Sequence, residues 1–253
     1  MNRLGIFLFA FVWLWATGLC AQTDLEKLDR WMAGQTVSEE AVKDYGLDRC
    51  FVVEPVGQSL MKRMGGKSYP KNCTIAQADL RYLKVLHCRA DGSTGIGEMV
   101  CHRDIAEKLR TIFRSLYDNR YPIERMVLID EYDADDELSM TANNTSCFCF
   151  RQIAGTKRLS KHAQGLAVDI NPLYNPQVKT SPNPSKGGGR NAAGRKSGQL
   201  RVSPKAGAPY ADRAKDFPYK LEKGDLCYRL FIGQGFRWGG NWRSSKDYQH
   251  FEY

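Results

Sequence analysis

Two short stretches of the C-terminal third contain the residues that are best suited to chemistry. The first holds His162 and Asp169, and the second holds Asp247 and His250. Two imidazoles and one carboxylate make up the protein ligand set of a catalytic zinc site, in which a fourth position stays open. Zinc in such a site lowers the pKa of water towards neutrality, so these residues indicate hydrolysis.

The spacing around the first pair predicts how its side chains converge. Residues 166–170 read as a strand whose apolar side chains face the core, so Asp169 points to the opposite side. Gly165 permits a bend immediately before this strand. The bend brings His162 back beside Asp169.

The second pair belongs to a predicted closing strand. His250 and Glu252 share one face of it, and if it lies beside the first strand, His162, Asp169 and His250 can hold one zinc ion. Asp247 lies on the turn that enters the strand, where it suits a general base that takes a proton from water and passes it to the leaving amine. Glu252 is the second choice for this base, and otherwise it holds a ligand imidazole by a hydrogen bond.

The remaining patterns predict the elements that position these residues. A hairpin is predicted to turn at Asp91-Gly92. The helix that follows has its apolar positions, from Ile105 to Leu116, on one face, and it ends at Tyr121-Pro122. Further predicted strands lie at 126–129 and 146–152, and a further helix at 225–233. The mixture indicates an α+β fold, a single catalytic domain with a central antiparallel sheet flanked by helices and the zinc site on the sheet.

The N-terminus predicts export. A cationic start and an uncharged run through Ala21 are typical of a secretory signal, with an uncleaved membrane anchor or a lipoprotein site at Cys20 as alternatives. Each places the protein in the periplasm or cell envelope. We therefore expect a signal peptide at 1–21, an N-terminal extension at 22–75 and a zinc peptidase domain at 76–253.

The cysteines agree with an oxidising compartment, because seven remain after the leader. Cys88 and Cys101 flank residues 90–97 almost symmetrically, so a hairpin there would place them opposite each other, and they form the first predicted disulfide. Cys50 with Cys73 is the second. Since seven is an odd number, at least one thiol stays free or pairs elsewhere.

The net charge of +9 favours a polyanionic neighbourhood. Seven Lys or Arg residues and no acid lie between Lys179 and Lys205, inside a predicted Gly/Ser-rich loop insertion at 178–206. Such a loop is flexible and can steer the protein towards anionic cell-surface polymer, although a plain insertion is the alternative. Nucleic acid is not expected as a partner because no aromatic residues are interleaved in the basic run. We expect a monomer.

Both stretches resemble signatures of one protein family. Residues 160–169 are similar to the Ser-x-His-x-x-Gly-x-Ala-x-Asp signature of VanY-type zinc peptidases of bacterial cell walls, which include D-alanyl-D-alanine carboxypeptidases and L-alanyl-D-glutamate endopeptidases. Residues 238–242 followed by 247–252 resemble its second signature. Weaker matches at 128–132, 143–146 and 171–176 extend the resemblance over about 76–253.

The resemblance implies a function and roles for individual residues. The substrate would be the stem peptide of peptidoglycan, one zinc ion would bind to His162, Asp169 and His250, and Asp247 would be the base. Arg151 matches the family arginine that steadies the developing oxyanion. Residues around the ligands are expected to support them or to contact substrate: Ser160, Glu252, Trp242 and Tyr248.

Two other functions are compatible with the sequence. Ser59 and Lys62 form a Ser-x-x-Lys pattern found in serine peptidases that act on the same wall, and residues 179–181 resemble their Lys-Thr-Gly motif. The second alternative is a peptidoglycan-binding module that has kept the fold and lost turnover.

Overall fold

The computed structural model describes residues 23–153, 156, 158–180, 200–243 and 245–253. The predicted signal peptide and most of the predicted basic loop lie outside these residues. Within the described part, no helix combines the length and the apolar character that a membrane crossing requires.

The structure contains short helices and antiparallel strands, which confirms the predicted α+β class. The helices are α1 (23–29), α2 (Glu39–Tyr45), α3 (Gln58–Met64), α4 (Arg103–Asp118), α5 (Asp136–Thr141) and α6 (Leu226–Gly233). The strands are β1 (Thr36–Val37), β2 (Val52–Pro55), β3 (Leu80–Cys88), β4 (Thr94–His102), β5 (Ala167–Asp169), β6 (Gln177–Thr180), β7 (Leu200–Ser203), β8 (Arg237–Trp238), β9 (Ser245–Asp247) and β10 (His250–Glu252).

A long hairpin, formed by β3 and β4, is the centre of the largest sheet, which has the strand order β1-β4-β3-β2. Helix α4 follows β4 directly, and the predicted apolar face of this helix is buried. Because β1 and β2 are the outer strands, residues 23–75 contribute both edges of the sheet. The domain boundary at residue 76 stays a prediction.

Two of the predicted strands are wrong. Residues 146–152 form only isolated bridges, Ser146 to Asp169 and Gln152 to Leu159. Successive backbone amides in this segment donate to three different partners, the carbonyls of Val100, His162 and Ser68. Residues 126–129 likewise form no strand, and a 3-10 turn begins at Ile129.

The predicted disulfides are also wrong, because every cysteine in the described residues is a free thiol. The hairpin register explains the first error. Cys88 lies opposite Thr94 beside the turn, whereas Cys101 lies opposite Arg81 at the far end. Since a strand rises about 3.4 Å per residue, these two thiols are too far apart for a bond. Cys50 belongs to the main hydrophobic core, and Cys73 packs against a smaller cluster.

Two further sheets have three strands each, β5-β10-β8 and β7-β6-β9, and Val168, Trp238 and Phe251 of the first belong to the main hydrophobic core. The ring of Phe251 on β10 stacks on that of Phe231 from α6, with centroids 4.2 Å apart. Phe231 in turn meets Phe113 of α4 edge-on at 6.4 Å. The two helices therefore support strand β10.

Candidate metal centre

Strands β5 and β10 pair antiparallel, which confirms that the two predicted strands are neighbours. His250 lies directly opposite Asp169, and Phe251 lies opposite Val168. Val168 and Phe251 are fully buried in the core. Because side chains alternate along a strand, the imidazole and the carboxylate project together from the other face of the sheet.

A tight turn places His162 beside this pair. Residues His162–Gln164 form a 3-10 turn that ends at Gly165, whose φ of 67° lies in the left-handed region. A Cβ on Gly165 would lie 2.7 Å from the backbone nitrogen of His102, so only glycine fits. The Ser160 hydroxyl accepts the Ala163 amide at 3.0 Å and caps the start of the turn. The predicted supporting role of Ser160 thus has a geometric basis.

The three side chains converge at one point. His250 Nδ1 lies 2.9 Å from Asp169 Oδ1 and 3.2 Å from His162 Nε2. His162 Nε2 lies 3.3 Å from Asp169 Oδ2. One ligand atom from each residue lies within 4.8 Å of the others, and all three residues are buried. A donor set of two imidazoles and one carboxylate fits zinc.

Neighbouring groups fix the orientation of both imidazoles. His162 Nδ1 lies 2.7 Å from the carbonyl oxygen of Cys147, which makes Nδ1 the donor and leaves Nε2 free for a metal. Glu252 Oε2 lies 3.6 Å from His250 Nε2, on the side away from Asp169, and Arg237 holds its other oxygen at 2.9 Å. Glu252 therefore lies beside the imidazole of His250, a candidate ligand, and its second predicted role stays a prediction.

Asp169 and His250 shift each other's pKa. Burial acts to raise the pKa of Asp169, but its interactions with His162 and His250 lower that pKa well below its usual range. Burial acts to lower the pKa of His250, yet the hydrogen bonds to Asp169 and Glu252 raise it to about 10. A metal ion must displace the proton held here, so metal binding is expected to strengthen as the pH rises.

Asp247 ends strand β9, where a turn was predicted, and it is 7% exposed. Burial raises the pKa of Asp247 to about 6, against the opposing influence of His250. Its Oδ2 accepts a hydrogen bond from Gln177 Nε2 at 2.8 Å. Its Oδ1 is buried and makes no hydrogen bond within the described part of the chain. One oxygen is therefore held and the other is available.

Arg151 forms an ion pair with Asp136, the first residue of α5. Burial raises the pKa of Asp136. The charges of Arg151 and His162 act to lower this pKa, and that of Asp169 acts to raise it. Asp136 was not predicted from the sequence, because the acidic run from 133 to 137 is typical of an exposed loop. The pairing of its carboxylate with a predicted site residue could be found only from the structure.

A cleft of about 520 Å³ opens beside Arg151. It is bounded by two chain segments, whose lining residues are Pro70, Asn72, Thr74, Phe150, Arg151, Gln152 and Leu159. Its volume is in the range of small-molecule binding sites. The N-terminal third of the chain therefore supplies one wall of this cleft.

The two predicted aromatic site residues lie in different places. The half-buried ring of Trp242 lies 5.4 Å from the ring of His250, next to the metal cluster. Tyr248 instead packs against Trp238, at 6.0 Å between ring centroids, and lies under the guanidinium of Arg213. Trp242 therefore lies beside the candidate metal cluster, whereas Tyr248 packs against Trp238 and Arg213.

The residues of the serine alternative lie on other elements. Ser59 and Lys62 are both exposed on α3. Lys179 is exposed on β6, and Ser181 lies outside the described residues. The buried cluster of His162, Asp169 and His250 contains none of these residues.

The C-terminal part of the chain matches a known protein family. Residues 154–253 match a family model described as D-alanyl-D-alanine carboxypeptidase. The match contains all three candidate ligands and Asp247, and it begins three residues after Arg151. No curated protein and no solved structure matches the chain. The family match confirms the predicted resemblance over residues 154–253, and the resemblance over residues 76–153 stays a prediction.

Proposed function

We propose that this chain, whose residues 154–253 match a family model of D-alanyl-D-alanine carboxypeptidases, is a zinc-dependent peptidase that hydrolyses an amide bond of the peptidoglycan stem peptide. The terminal D-Ala-D-Ala bond and the internal L-Ala-D-Glu bond are the two candidates for cleavage. The observation that carries the proposal is the convergence of His162, Asp169 and His250 within the family match.

The ligand set supports zinc as the cofactor. His162 Nε2, His250 Nδ1 and the Asp169 carboxylate are the atoms that would hold one ion. When bound, zinc makes water more acidic and polarises a carbonyl oxygen. The carbonyl of Cys147 and the carboxylate of Glu252 keep the two imidazoles in the orientation that such binding needs.

Asp247 is proposed as the general base. A carboxyl group with a pKa of about 6 is ionised at neutral pH and still basic enough to accept a proton. Its oxygen Oδ1 makes no hydrogen bond in the described residues, so a proton from the attacking water can be received there. The same oxygen then delivers the proton to the amine that leaves when the C–N bond breaks.

Arg151 is proposed to stabilise the oxygen that becomes negatively charged in the transition state. A guanidinium offers fixed donors for this purpose, and its ion pair with Asp136 restricts its movement. The cleft beside Arg151 is proposed to receive the stem peptide. Trp242, which lies next to His250, is proposed to pack against the substrate.

The remaining proposals concern the whole chain. The N-terminal sequence supports export at 1–21 into the periplasm or cell envelope, with an uncleaved anchor as the alternative. We propose that residues 22–75 form an extension of a catalytic domain at 76–253, and that the protein acts as a monomer. The basic loop at 178–206 is proposed to attract anionic cell-surface polymer, and nucleic acid is not a proposed partner.

Digestion of purified muropeptides tests the enzymatic proposal. The zinc-loaded protein should release D-alanine or cleave after L-alanine, with the products identified by mass spectrometry. EDTA should abolish the reaction, and added zinc should restore it. Asp247→Ala should retain zinc but lose turnover, whereas His162→Ala should lose both.

His102→Ala is the matched control, because this histidine caps α4 and lies outside the metal cluster. It should retain both zinc and turnover. Activity that survives EDTA, together with labelling of Ser59 by penicillin, would favour the serine mechanism. Binding of peptidoglycan without release of any fragment would identify a binding module.

A further inference from the structure

The side chain of Gln177 lies against the carboxylate of Asp247. We propose that Gln177 is a positioning residue for this candidate base: its amide holds one carboxylate oxygen, so that the other oxygen exchanges the proton with substrate. This inference rests on the proposed function, because it concerns the step in which Asp247 accepts a proton.

The strand register brings the two residues together. Gln177 begins β6 and lies directly opposite Asp247, which ends β9. Its Nε2 donates a hydrogen bond to Asp247 Oδ2 at 2.8 Å. Two further register pairs continue along the same two strands, Val178 with Lys246 and Lys179 with Ser245. The position of the amide is therefore set by backbone pairing as well as by its own hydrogen bond.

The two oxygens of Asp247 differ in their surroundings. Oδ2 accepts the bond from Gln177, whereas Oδ1 is buried without a hydrogen-bond partner among the described residues. The lone pair of an amide nitrogen is delocalised into the carbonyl group and is not basic, so the NH₂ group stabilises the ionised carboxylate without competing for the proton. Since a buried, unpaired oxygen is costly, Oδ1 is the atom that gains most from a new partner.

Gln249 is a second amide beside Asp247, and it lowers the pKa of the carboxyl. The backbone carbonyl of Gln249 accepts the amide of Ile170 at 3.0 Å, which ties Gln249 to the strand that carries Asp169. Its side-chain oxygen has no hydrogen-bond partner within the described residues. Both side-chain amides therefore act on Asp247: hydrogen bonding by Gln249 lowers the pKa of the carboxyl, and Gln177 holds Oδ2 at 2.8 Å.

Loss of the bond should affect the chemical step more than substrate binding. Without the amide, the carboxylate can rotate and present either oxygen, so fewer encounters have the geometry for proton transfer. The proposed mechanism has no contact between the substrate and Gln177. We therefore expect a lower kcat and an unchanged KM.

The test compares Gln177→Met with wild type on a stem-peptide substrate. Methionine has a similar shape and no donor, and kcat should fall about tenfold while KM stays within about twofold. Zinc affinity and the thermal midpoint of unfolding should not change. Gln58→Met makes the same replacement at an exposed position of α3 and should behave as wild type.

Gln177→Asn provides a second variant that keeps the amide but is one methylene too short to reach Asp247. Its kcat should fall as much as that of the methionine variant. If the methionine variant fails to fold, the asparagine variant alone tests the inference. A wild-type kcat in either folded variant would overturn the inference. So would a loss of activity that follows a loss of zinc or of folded protein, because that indicates a merely structural role.

The same experiment separates this inference from the proposed function. If the zinc-loaded wild type cleaves and Asp247→Ala does not, while both Gln177 variants are unaffected, only the inference fails. If the wild type does not cleave any stem peptide, the proposed function fails.

Discussion

The buried carboxylate of Asp247 is expected to reduce the stability of the metal-free protein at neutral pH. Burial raises its pKa from 3.8 to about 6, so the folded state holds the proton more tightly than the unfolded state. The resulting stabilisation is present at low pH and is lost as the pH rises through this interval. Asp247→Asn removes the ionisation and keeps a similar shape, and should therefore increase stability at high pH.

The size of the effect follows from the interval between the two pKa values. At about 1.36 kcal/mol per pH unit, ionisation of Asp247 should cost the folded state about 3 kcal/mol at pH 8. At pH 4.5 the unfolded state is mostly ionised and the folded state is not, so the cost is only about 1 kcal/mol. The advantage of Asp247→Asn over wild type should grow by about 2 kcal/mol between these pH values.

Urea unfolding of EDTA-treated protein, followed by tryptophan fluorescence at both pH values, measures this difference. Asp29→Asn is the control, because Asp29 is exposed and its replacement should change stability by less than about 0.5 kcal/mol. If Asp247→Asn is no more stable than wild type at pH 8, or if its advantage is the same at both pH values, the reasoning about the buried carboxylate is refuted. The stabilised variant should also be inactive.

Further predictions concern the metal, the arginine and the pH profile. Zinc at about one hundred times its Kd should stabilise the wild type by about 2.7 kcal/mol in the same unfolding assay, and His162→Ala should show no such gain. Arg151→Ala should lower kcat by about 10²–10³-fold with zinc content unchanged, and Asp136→Asn should lower it less. The value of kcat/KM should fall as the pH drops, because Asp247 must be ionised to act as the proposed base. The midpoint should lie at or below about pH 6, because a zinc ion bound nearby would lower the pKa of Asp247 further. A profile that stays flat down to pH 3 while zinc remains bound would contradict the role of Asp247.

Much of the metal cluster is predictable from alternation along two short strands. Core-facing Val168 and Phe251 require Asp169 and His250 to project from the opposite face, and the structure places these two residues directly opposite each other. Gly165 is informative because its left-handed backbone turns the chain at the point where His162 must return. These are local patterns, which a sequence displays directly.

The features that sequence analysis missed depend on long-range pairing. Gln177 has no signature of its own, and its importance comes from the pairing of β6 with β9, which lie 65 or more residues apart. The predicted bond between Cys88 and Cys101 failed because it assumed a different hairpin register from the one that forms. Residues 146–152 alternate like a strand, but their amides are used by several separate partners, so no ladder forms.

Diffraction data collected at the zinc absorption edge test whether His162, Asp169 and His250 hold a zinc ion. In crystals grown with zinc, the anomalous signal should show one ion bonded to His162 Nε2, His250 Nδ1 and an oxygen of Asp169, with zinc–nitrogen distances of about 2.0–2.1 Å. A strong zinc peak bound by other residues, with these three side chains left uncoordinated, would contradict the account.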